Sequence, residues 1–408
     1  MMGITNDTTL KGDKGVILTA ILCGLFPLLF FKIKALTVVA FFVLSLYAIV
    51  KRDKGFKVDL KTVALFSILW LSYIISLFFS TNVQEGVTLI SRCVPLVLIP
   101  LGYSFLSYST RIQFNKVFRK TFIIASSIFT VLLFFYLYQL GYFSGKQDLY
   151  YCYSYITYEF WGINDHPIYL SINLALALFF ILIDGFKNKI INVILFLVLL
   201  IGLLLLARKG VVAAFGGLSF LYFILKNKKK QSLLIIGSFG ILFALSLTVT
   251  DIRSRFLELF DIHKIVDNKE TSSGIRYILW NTSSDLIKES NYLGYGVGDV
   301  QTVLSHKLAQ EGYKVLAEDK YNAHNQFLQL GLATGVLGIV LFLFSLLYFV
   351  KKCIQRKNSE GIIFILFFVF IFLFESVLER QNGIIMYCFM TCMFIFSSEY
   401  DKTEKHVT

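Results

Sequence analysis

The chain has 408 residues, of which 56% are hydrophobic and only 16% are charged. This composition excludes an ordinary soluble globular protein and predicts an all-α, polytopic membrane protein. The formal net charge of +13 lies mostly in loops between apolar segments. It therefore indicates contact with anionic membrane lipids and argues against a nucleic-acid partner.

The apolar segments, taken in chain order, predict about twelve transmembrane helices. Each is long enough, or nearly long enough, to cross a hydrocarbon layer of ~30 Å. They span residues 16–31, 35–50, 62–79, 87–107, 121–143, 167–183, 190–206, 210–225, 232–250, 325–350, 361–375 and 383–398. The first segment carries no recognisable cleavage site, so the N-terminus is expected to be retained. The 42 phenylalanines are expected to face lipid.

The basic residues predict the orientation of these helices. More than half of the 39 lysines and arginines fall in loops on the side of the N-terminus, and every loop on that side is basic. The positive-inside rule then places both termini in the cytoplasm. The expected location is the bacterial inner membrane, with the active site facing the periplasm.

Two segments on the predicted outer side differ from the other loops. Residues 144–166 are aromatic and polar, and residues 251–323 form a long insert between the ninth and tenth helices. Apolar residues recur in this insert at helical spacing, which predicts a partly helical periplasmic cap. The predicted organisation is helices one to nine in 1–250, the cap in 251–323, and three helices with a cytoplasmic tail in 324–408.

Three arginines are predicted at the outer membrane boundary, where the positive-inside rule does not place them. Each has an alternative interpretation without a ligand. Arg208 could extend along the interface towards water, and Arg276 could be solvated on the cap. Arg380 could pair with Glu379 or Glu375. Binding of an anionic ligand would also explain why these basic residues lie so close to the hydrocarbon layer.

His324 is predicted to open a helix at the same boundary. Gly331, Gly335 and Gly338 follow it on one face, which is typical of close helix packing. The positive end of a helix dipole disfavours a second positive charge, so a neutral imidazole is expected, able to act as a general base. The alternative is an interfacial histidine with no chemical role.

Other motifs give weaker signals. The glycine-rich segment from Gly294 to Gly298 predicts a turn in the cap, since no strand–helix unit surrounds it. His166 and Pro167 predict a helix start, with Asp165 as its cap or as a spare carboxylate. The six scattered cysteines indicate neither a disulfide framework nor a metal site.

The order of these motifs resembles that of a known family. His324-Asn325, followed after nine residues by Gly335 and Gly338, is similar to the His-Asn…Gly-x-x-Gly signature of the O-antigen ligase and polymerase superfamily. Three further elements occur in the same order: Arg208 and Gly210 in a tight turn, Arg276 and Trp280 in the cap, and Gly294, Gly296 and Gly298 before the histidine. The resemblance covers roughly residues 200–400.

The resemblance implies transfer of a glycan from an undecaprenyl-diphosphate donor to an acceptor hydroxyl, without a metal or cofactor. Ligases of this family use the lipid A core as acceptor, and polymerases use another carrier-linked glycan repeat. Arg208 and Arg276 would bind the diphosphate, and His324 would act as general base. The predicted substrate-binding residues are Lys209, Arg380, Asn325, Trp280 and Tyr277. The sequence favours a ligase, leaves a polymerase or a transporter of anionic lipid or lipid-linked glycan open, and does not indicate the oligomeric state.

Overall fold

A computed structural model describes residues 13–50, 58–227, 237, 239–241, 243–245, 247–257 and 271–396. Within these ranges the chain forms helices and no strand, which confirms the all-α prediction. In chain order the helices are α1 (Lys14–Gly24), α2 (Leu36–Val50), α3 (Leu60–Leu77), α4 (Val83–Arg92), α5 (Pro95–Phe105), α6 (Tyr108–Gln139), α7 (Leu149–Tyr158), α8 (Pro167–Asp184), α9 (Lys189–Leu205), α10 (Lys209–Leu225), α11 (Thr250–Leu257), α12 (Ser272–Glu289), α13 (Val300–Gln310), α14 (Lys314–Glu318), α15 (Gln326–Gln355), α16 (Ser359–Phe372) and α17 (Gln381–Ile395).

Six helical segments in the described part of the chain are long and apolar enough to cross a membrane. They are Phe31–Val50, Leu60–Leu77, Val83–Phe105, Tyr108–Gln139, Pro167–Asp184 and Gln326–Gln355. Helices α1, α9, α10, α16 and α17 are also apolar but shorter. The predicted segment 87–107 is divided between α4 and α5, because Pro95 at the start of α5 has no amide hydrogen to continue α4. Most of the predicted segment 232–250 lies outside the described residues.

The helices bury a large aromatic core. The rings of Phe41, Phe114, Phe118 and Phe389 pack with centroid distances of 5.0 to 6.4 Å, and all four side chains are fully buried. The prediction that phenylalanine faces lipid is therefore wrong for these residues. Without a hydrophobic driving force between helices in lipid, side-chain packing of this kind holds the bundle together.

Loops predicted to lie on one side of the membrane meet at one end of the bundle. Three side chains donate to the last backbone carbonyls of the α17 segment: Arg111 to Phe396, Arg356 to Ile395 and Asn115 to Met393. At the same end Lys352 pairs with Asp59.

Residues 271–323 cover the opposite end, which we call the cap face. Asp299 links them to the bundle, because its carboxylate accepts hydrogen bonds from the amides of Thr81 and Asn82 and from the Thr81 hydroxyl at 2.6 to 2.9 Å. A Cβ on Gly298 would lie 2.0 Å from the Asn82 carbonyl oxygen. The glycine is thus required by close backbone contact between the cap and the α3–α4 turn.

Helix α15 is broken near the cap face. Gly335 has φ 68° inside the helix, in the left-handed region that favours glycine. The carbonyls of Leu332 and Ala333, which the break leaves without helical partners, accept hydrogen bonds from the cap amides of Tyr295 and Gly296 at 2.8 and 3.1 Å. The face of α15 on which the glycines were predicted therefore packs against the cap loop. The cap also fixes the short segment of α15 that follows His324.

Candidate active site

His324 lies just before α15. Its φ is 43°, and its amide donates to the Asn322 side chain at 2.9 Å. The helix itself begins at Gln326, capped by Asn325, whose side-chain oxygen accepts from the amides of Phe327 and Leu328. The prediction that His324 opens the helix is therefore off by two residues. Asn325 takes the helix-capping role, as is typical of asparagine.

The imidazole of His324 is paired with a buried carboxylate. Nδ1 lies 3.0 Å from Glu375 Oε2, and the His324 side chain is 19% exposed. Since an ionised carboxylate only accepts hydrogen bonds, Nδ1 carries a hydrogen. Nε2 makes no hydrogen bond with any residue that the structure describes.

The electrostatics of Glu375 depend on this pairing. Burial alone would raise the pKa of this carboxyl. In the acid range in which this carboxyl titrates, the positive charge and hydrogen bond of His324, together with the charges on protonated His166 and on Arg276, outweigh burial and lower the pKa to about 2. Glu375 is therefore ionised at neutral pH, and it stabilises positive charge on His324.

The segment from Leu373 to Glu375 gathers three of the predicted site residues. Asn325 Nδ2 donates to the Leu373 carbonyl at 3.1 Å, and Arg276 Nε donates to the Phe374 carbonyl at 3.1 Å. His324 contacts Glu375 in the same segment. The cap, the start of α15 and the α16–α17 connection thus meet at one point.

Arg276 and Trp280 project from the first half of α12. The Arg276 NH1 group also donates to the carbonyl and hydroxyl of Ser272 at 3.1 Å, which fixes the guanidinium at the start of the helix. One turn later, Trp280 Nε1 donates to the His324 carbonyl at 3.3 Å. Tyr277, between them, has a side chain that is 45% exposed.

Arg208 and Lys209 occupy the turn between α9 and α10. The Arg208 guanidinium lies 4.2 Å from the ring centroid of Tyr153, and Tyr153 donates its hydroxyl to the Leu206 carbonyl. Lys209 Nζ lies 3.4 Å from the Ser273 hydroxyl in the first turn of α12. Lys209 therefore connects the α9–α10 turn to the cap.

Arg380 does not form the ion pair considered from the sequence. Its guanidinium lies 5.9 Å from the ring centroid of Tyr169. Glu375 pairs with His324, and Glu379 accepts a hydrogen bond from the Tyr73 hydroxyl at 3.0 Å. Among the residues that the structure describes, no carboxylate lies within ion-pair distance of Arg380.

His166 lies among these cations, although the sequence indicated only a helix start there. Burial and the charges of Arg208, Arg380 and His324 lower its pKa to about 3, against the opposite effect of Glu375. The ring is therefore neutral at physiological pH.

Asp165 does not cap α8. Its carboxylate accepts from Lys34 Nζ at 3.1 Å and from Asn382 Nδ2 at 2.7 Å, and all three side chains are buried. This network ties the loop before α2 and the start of α17 to the base of the site. It was missed because its members lie far apart in the sequence.

The assembled site is rich in basic side chains. Arg276 contacts the segment that carries Glu375, and Arg208 and Arg380 directly precede α10 and α17. In the described ranges, no group of three or more His, Cys, Asp or Glu side chains is placed to hold a metal ion. A cationic, partly buried site of this kind suits an anionic ligand, since guanidinium groups bind phosphate oxygens in pairs.

Sequence comparison finds a similarity to a known family. Residues 191–343 match the protein-family model described as O-antigen ligase. This segment of the chain is therefore similar to the O-antigen ligase family. The resemblance to the O-antigen ligase superfamily is thereby confirmed. Arg208, Arg276 and His324 lie within the matched segment, whereas Glu375 and Arg380 lie beyond it.

One curated relative was also found. An uncharacterized protein of Haemophilus influenzae is 30% identical over 135 residues, which is 30% of this chain and 33% of the relative. The aligned part of the chain thus spans about a third of the length of that relative.

Proposed function

We propose that this protein transfers a glycan from undecaprenyl diphosphate to the lipid A core, as an O-antigen ligase of the bacterial inner membrane. The observation that carries this proposal is the His324–Glu375 pair set among three arginines. The O-antigen ligase family match over 191–343 supports the reaction type. In this proposal both termini are cytoplasmic, the cap of residues 251–323 is periplasmic, and the reaction occurs beneath the cap.

The arginines would bind the donor diphosphate. As the bond between the anomeric carbon and the phosphate oxygen breaks, negative charge grows on the diphosphate, and Arg208 and Arg276 stabilise it. Arg380 and Lys209 add positive charge at the same site. These residues supply the electrostatic stabilisation that a metal ion provides in many enzymes whose leaving group is a diphosphate, so the proposed reaction is metal-independent.

His324 would activate the acceptor. Its Nε2 takes the proton of the acceptor hydroxyl while that oxygen forms the new bond to the anomeric carbon. Glu375 holds the ring in the required tautomer and stabilises the imidazolium that forms. No general acid is required, because the diphosphate leaves as a stable anion.

Asn325, Trp280 and Tyr277 divide into two groups. Asn325 and Trp280 use their polar atoms to hold the backbone around His324, so we assign them a positioning role. Tyr277 is exposed beside Arg276 in sequence and remains a candidate for contact with the donor glycan.

A transfer assay with purified protein tests the proposal. The donor is undecaprenyl-diphosphate-linked glycan, the acceptor is lipid A core, and the product is the covalent glycolipid. We expect His324→Ala, Arg208→Ala and Arg276→Ala to abolish product formation while the protein stays folded. His306→Ala, at an exposed histidine of α13, is the matched control and should retain activity.

Three outcomes would change the proposal. Full activity in all three variants would refute the assigned site. Product formation only with a second carrier-linked repeat as acceptor would identify a polymerase. Movement of unchanged donor across the bilayer, without a new glycosidic bond, would identify a transporter.

A further inference from the structure

Tyr153 is a buried tyrosine that the mechanism above does not use. It lies on the buried face of α7, and its side chain is 6% exposed. The Arg208 guanidinium lies over its ring, 4.2 Å from the ring centroid. Its hydroxyl donates to the Leu206 carbonyl at 2.5 Å. One side chain thus contacts both the backbone and the charged group of the α9–α10 turn.

The backbone of this turn is tight. Helix α9 ends at Leu205 and α10 begins at Lys209. Between them Ala207 has φ 44°, in the left-handed region that is costly for residues other than glycine. The last carbonyls of a helix have no partner within it, so the hydroxyl of Tyr153 supplies one at the end of α9. This hydrogen bond fixes the backbone that carries Arg208.

The ring of Tyr153 acts on the charged group itself. The face of an aromatic ring carries partial negative charge, so a guanidinium within about 6 Å of the ring centroid is attracted to it, and the attraction is larger away from water. The N–H donors of a guanidinium point outwards in its plane, whereas stacking uses its flat face. A guanidinium held against the ring can therefore still bind phosphate oxygens along its edge.

Helix α7 is itself held in place. The Leu149 amide donates to the carboxylate of Asp251, near the start of α11, at 3.1 Å. Leu149, Cys152 and Ile156 are buried together with Tyr153. The ring is therefore presented to the α9–α10 turn by a helix whose position is fixed by packing and by a hydrogen bond.

We propose that Tyr153 is a positioning residue for the donor diphosphate, which acts by holding the Arg208 guanidinium in the orientation that binds phosphate. This inference rests on the proposed function. A long arginine side chain loses rotamer freedom when it binds a ligand, and a ring that fixes it beforehand reduces this loss. Lys209, the next residue, reaches the Ser273 hydroxyl of the cap instead. The two basic groups of the turn are thus directed to different elements.

The competing explanation is that Tyr153 only fills space beside the turn. Tyr136, near the end of α6, provides a matched control. Its side chain is 5% exposed, and its ring packs on Phe160 at 4.7 Å between centroids. Replacing either tyrosine by leucine removes a buried ring, so both changes should lower stability. Only Tyr153→Leu removes the aromatic contact with Arg208, so only this change should weaken donor binding.

The first experiment measures binding without transfer. Full-length protein in detergent is titrated with undecaprenyl diphosphate that carries no glycan, and binding is followed by calorimetry. Tyr153→Leu should weaken binding about tenfold, as for loss of a cation–π contact, whereas Tyr136→Leu should bind as the wild type does. In an Arg208→Ala background, Tyr153→Leu should cause no further loss. Absence of binding to the wild type, unchanged binding by Tyr153→Leu, or the same loss with and without Arg208 would overturn the proposal.

A second series separates the charge of the ring from its shape. Phenylalanines with one, two or three ring fluorines keep nearly the same volume but withdraw negative charge from the ring face. Placed at position 153, they should weaken diphosphate binding stepwise relative to Tyr153→Phe, which itself lacks only the hydroxyl bond to Leu206. Equal binding across the fluorinated series would overturn the proposal, because shape alone would then explain the effect.

The transfer assay separates this proposal from the proposed function. Tyr153→Leu should raise the KM for the donor about tenfold and leave the KM for the acceptor unchanged. A rise in the acceptor KM alone would overturn the positioning role. If Tyr153→Leu weakens diphosphate binding but the wild type transfers no glycan, the positioning role is upheld and the ligase proposal fails. If the wild type transfers glycan and Tyr153→Leu binds and transfers equally well, the positioning role fails and the ligase proposal stands.

Discussion

The substitution Glu375→Gln tests the orientation and charge of the proposed base. It keeps the size of the side chain but removes the carboxylate that lies 3.0 Å from His324 Nδ1. The imidazolium formed during the reaction then lacks its counter-charge. An amide can also donate to Nδ1, which would place the ring hydrogen on Nε2. In that tautomer Nε2 has no lone pair with which to accept the proton of the acceptor hydroxyl.

The size of the effect follows from the loss of one hydrogen bond between charged groups. Burial by itself raises the pKa of Glu375, yet its cationic neighbours, His324 first among them, lower it to about 2, so the carboxylate and the imidazolium stabilise each other. A hydrogen bond to a charged group contributes ~1.5–3 kcal/mol, so its loss should slow transfer by about tenfold or more. Loss of the correct tautomer can increase the effect to about 10⁴-fold, as measured for catalytic triads.

The assay is the pH dependence of kcat/KM for glycan transfer. Without Glu375 the imidazolium is less stable, so we expect the acid limb of the profile to move to lower pH while the maximum falls. Glu379→Gln is the control, because this neighbouring carboxyl contacts Tyr73 and not His324. An unchanged acid limb in Glu375→Gln, or an equal displacement in Glu379→Gln, would refute the reasoning.

Three further predictions concern stability and are measured by thermal unfolding in detergent. Gly335→Ala should lower stability by about 1–3 kcal/mol or more, because the residue has φ 68° and the new Cβ meets backbone at 2.3 Å. Gly145→Ala has φ 70° with nothing within 4 Å and should cost less; equal losses would show that crowding does not matter. Asp299→Ala should release the cap, seen as faster hydrogen exchange there. The folded-state pKa of Asp299 is lowered because three hydrogen bonds outweigh burial. The carboxylate therefore contributes to the free energy of unfolding above about pH 4. This contribution is lost as the pH falls below 3.8, the usual pKa of the group. Lys34→Met should cost about 3–5 kcal/mol by leaving Asp165 buried without its partner, and Lys34→Met with Asp165→Leu should recover part of this loss. No recovery would mean that the ion pair is not the source of the effect.

The sequence located much of the site because its residues violate a simple rule. Arg208, Arg276 and His324 are basic groups on the side of the membrane that the positive-inside rule leaves poor in basic residues. The structure brings all three to one end of the bundle. The distribution of charges along the sequence thus predicted that these basic residues lie near one another. It did not predict which residues they contact.

Glu375 and His166 could not be assigned in the same way. Glu375 pairs with a histidine 51 residues earlier, and the sequence offered Arg380 as a nearer partner. His166 follows an acidic residue and precedes a proline, which is a sufficient reason for its presence at a helix start. Both roles depend on how separate helices pack, and local patterns contain no information on that packing.

The break in α15 shows the same limit. Three glycines at helical spacing are typical of a smooth face for helix packing. The structure shows instead that Gly335 leaves the helical conformation, with φ 68°, where the cap backbone would lie 2.3 Å from a Cβ. The asparagine cap at position 325, by contrast, could have been recognised from its place before an apolar helix.

The joint at Gly335 also makes the final shape of α15 depend on another part of the chain. Two carbonyls of α15 accept hydrogen bonds from the amides of cap residues 295 and 296, and buried backbone groups left without a partner are costly. The break in α15 is therefore stable only when the cap is folded against it. The cap and the first turns of α15 should form and unfold together.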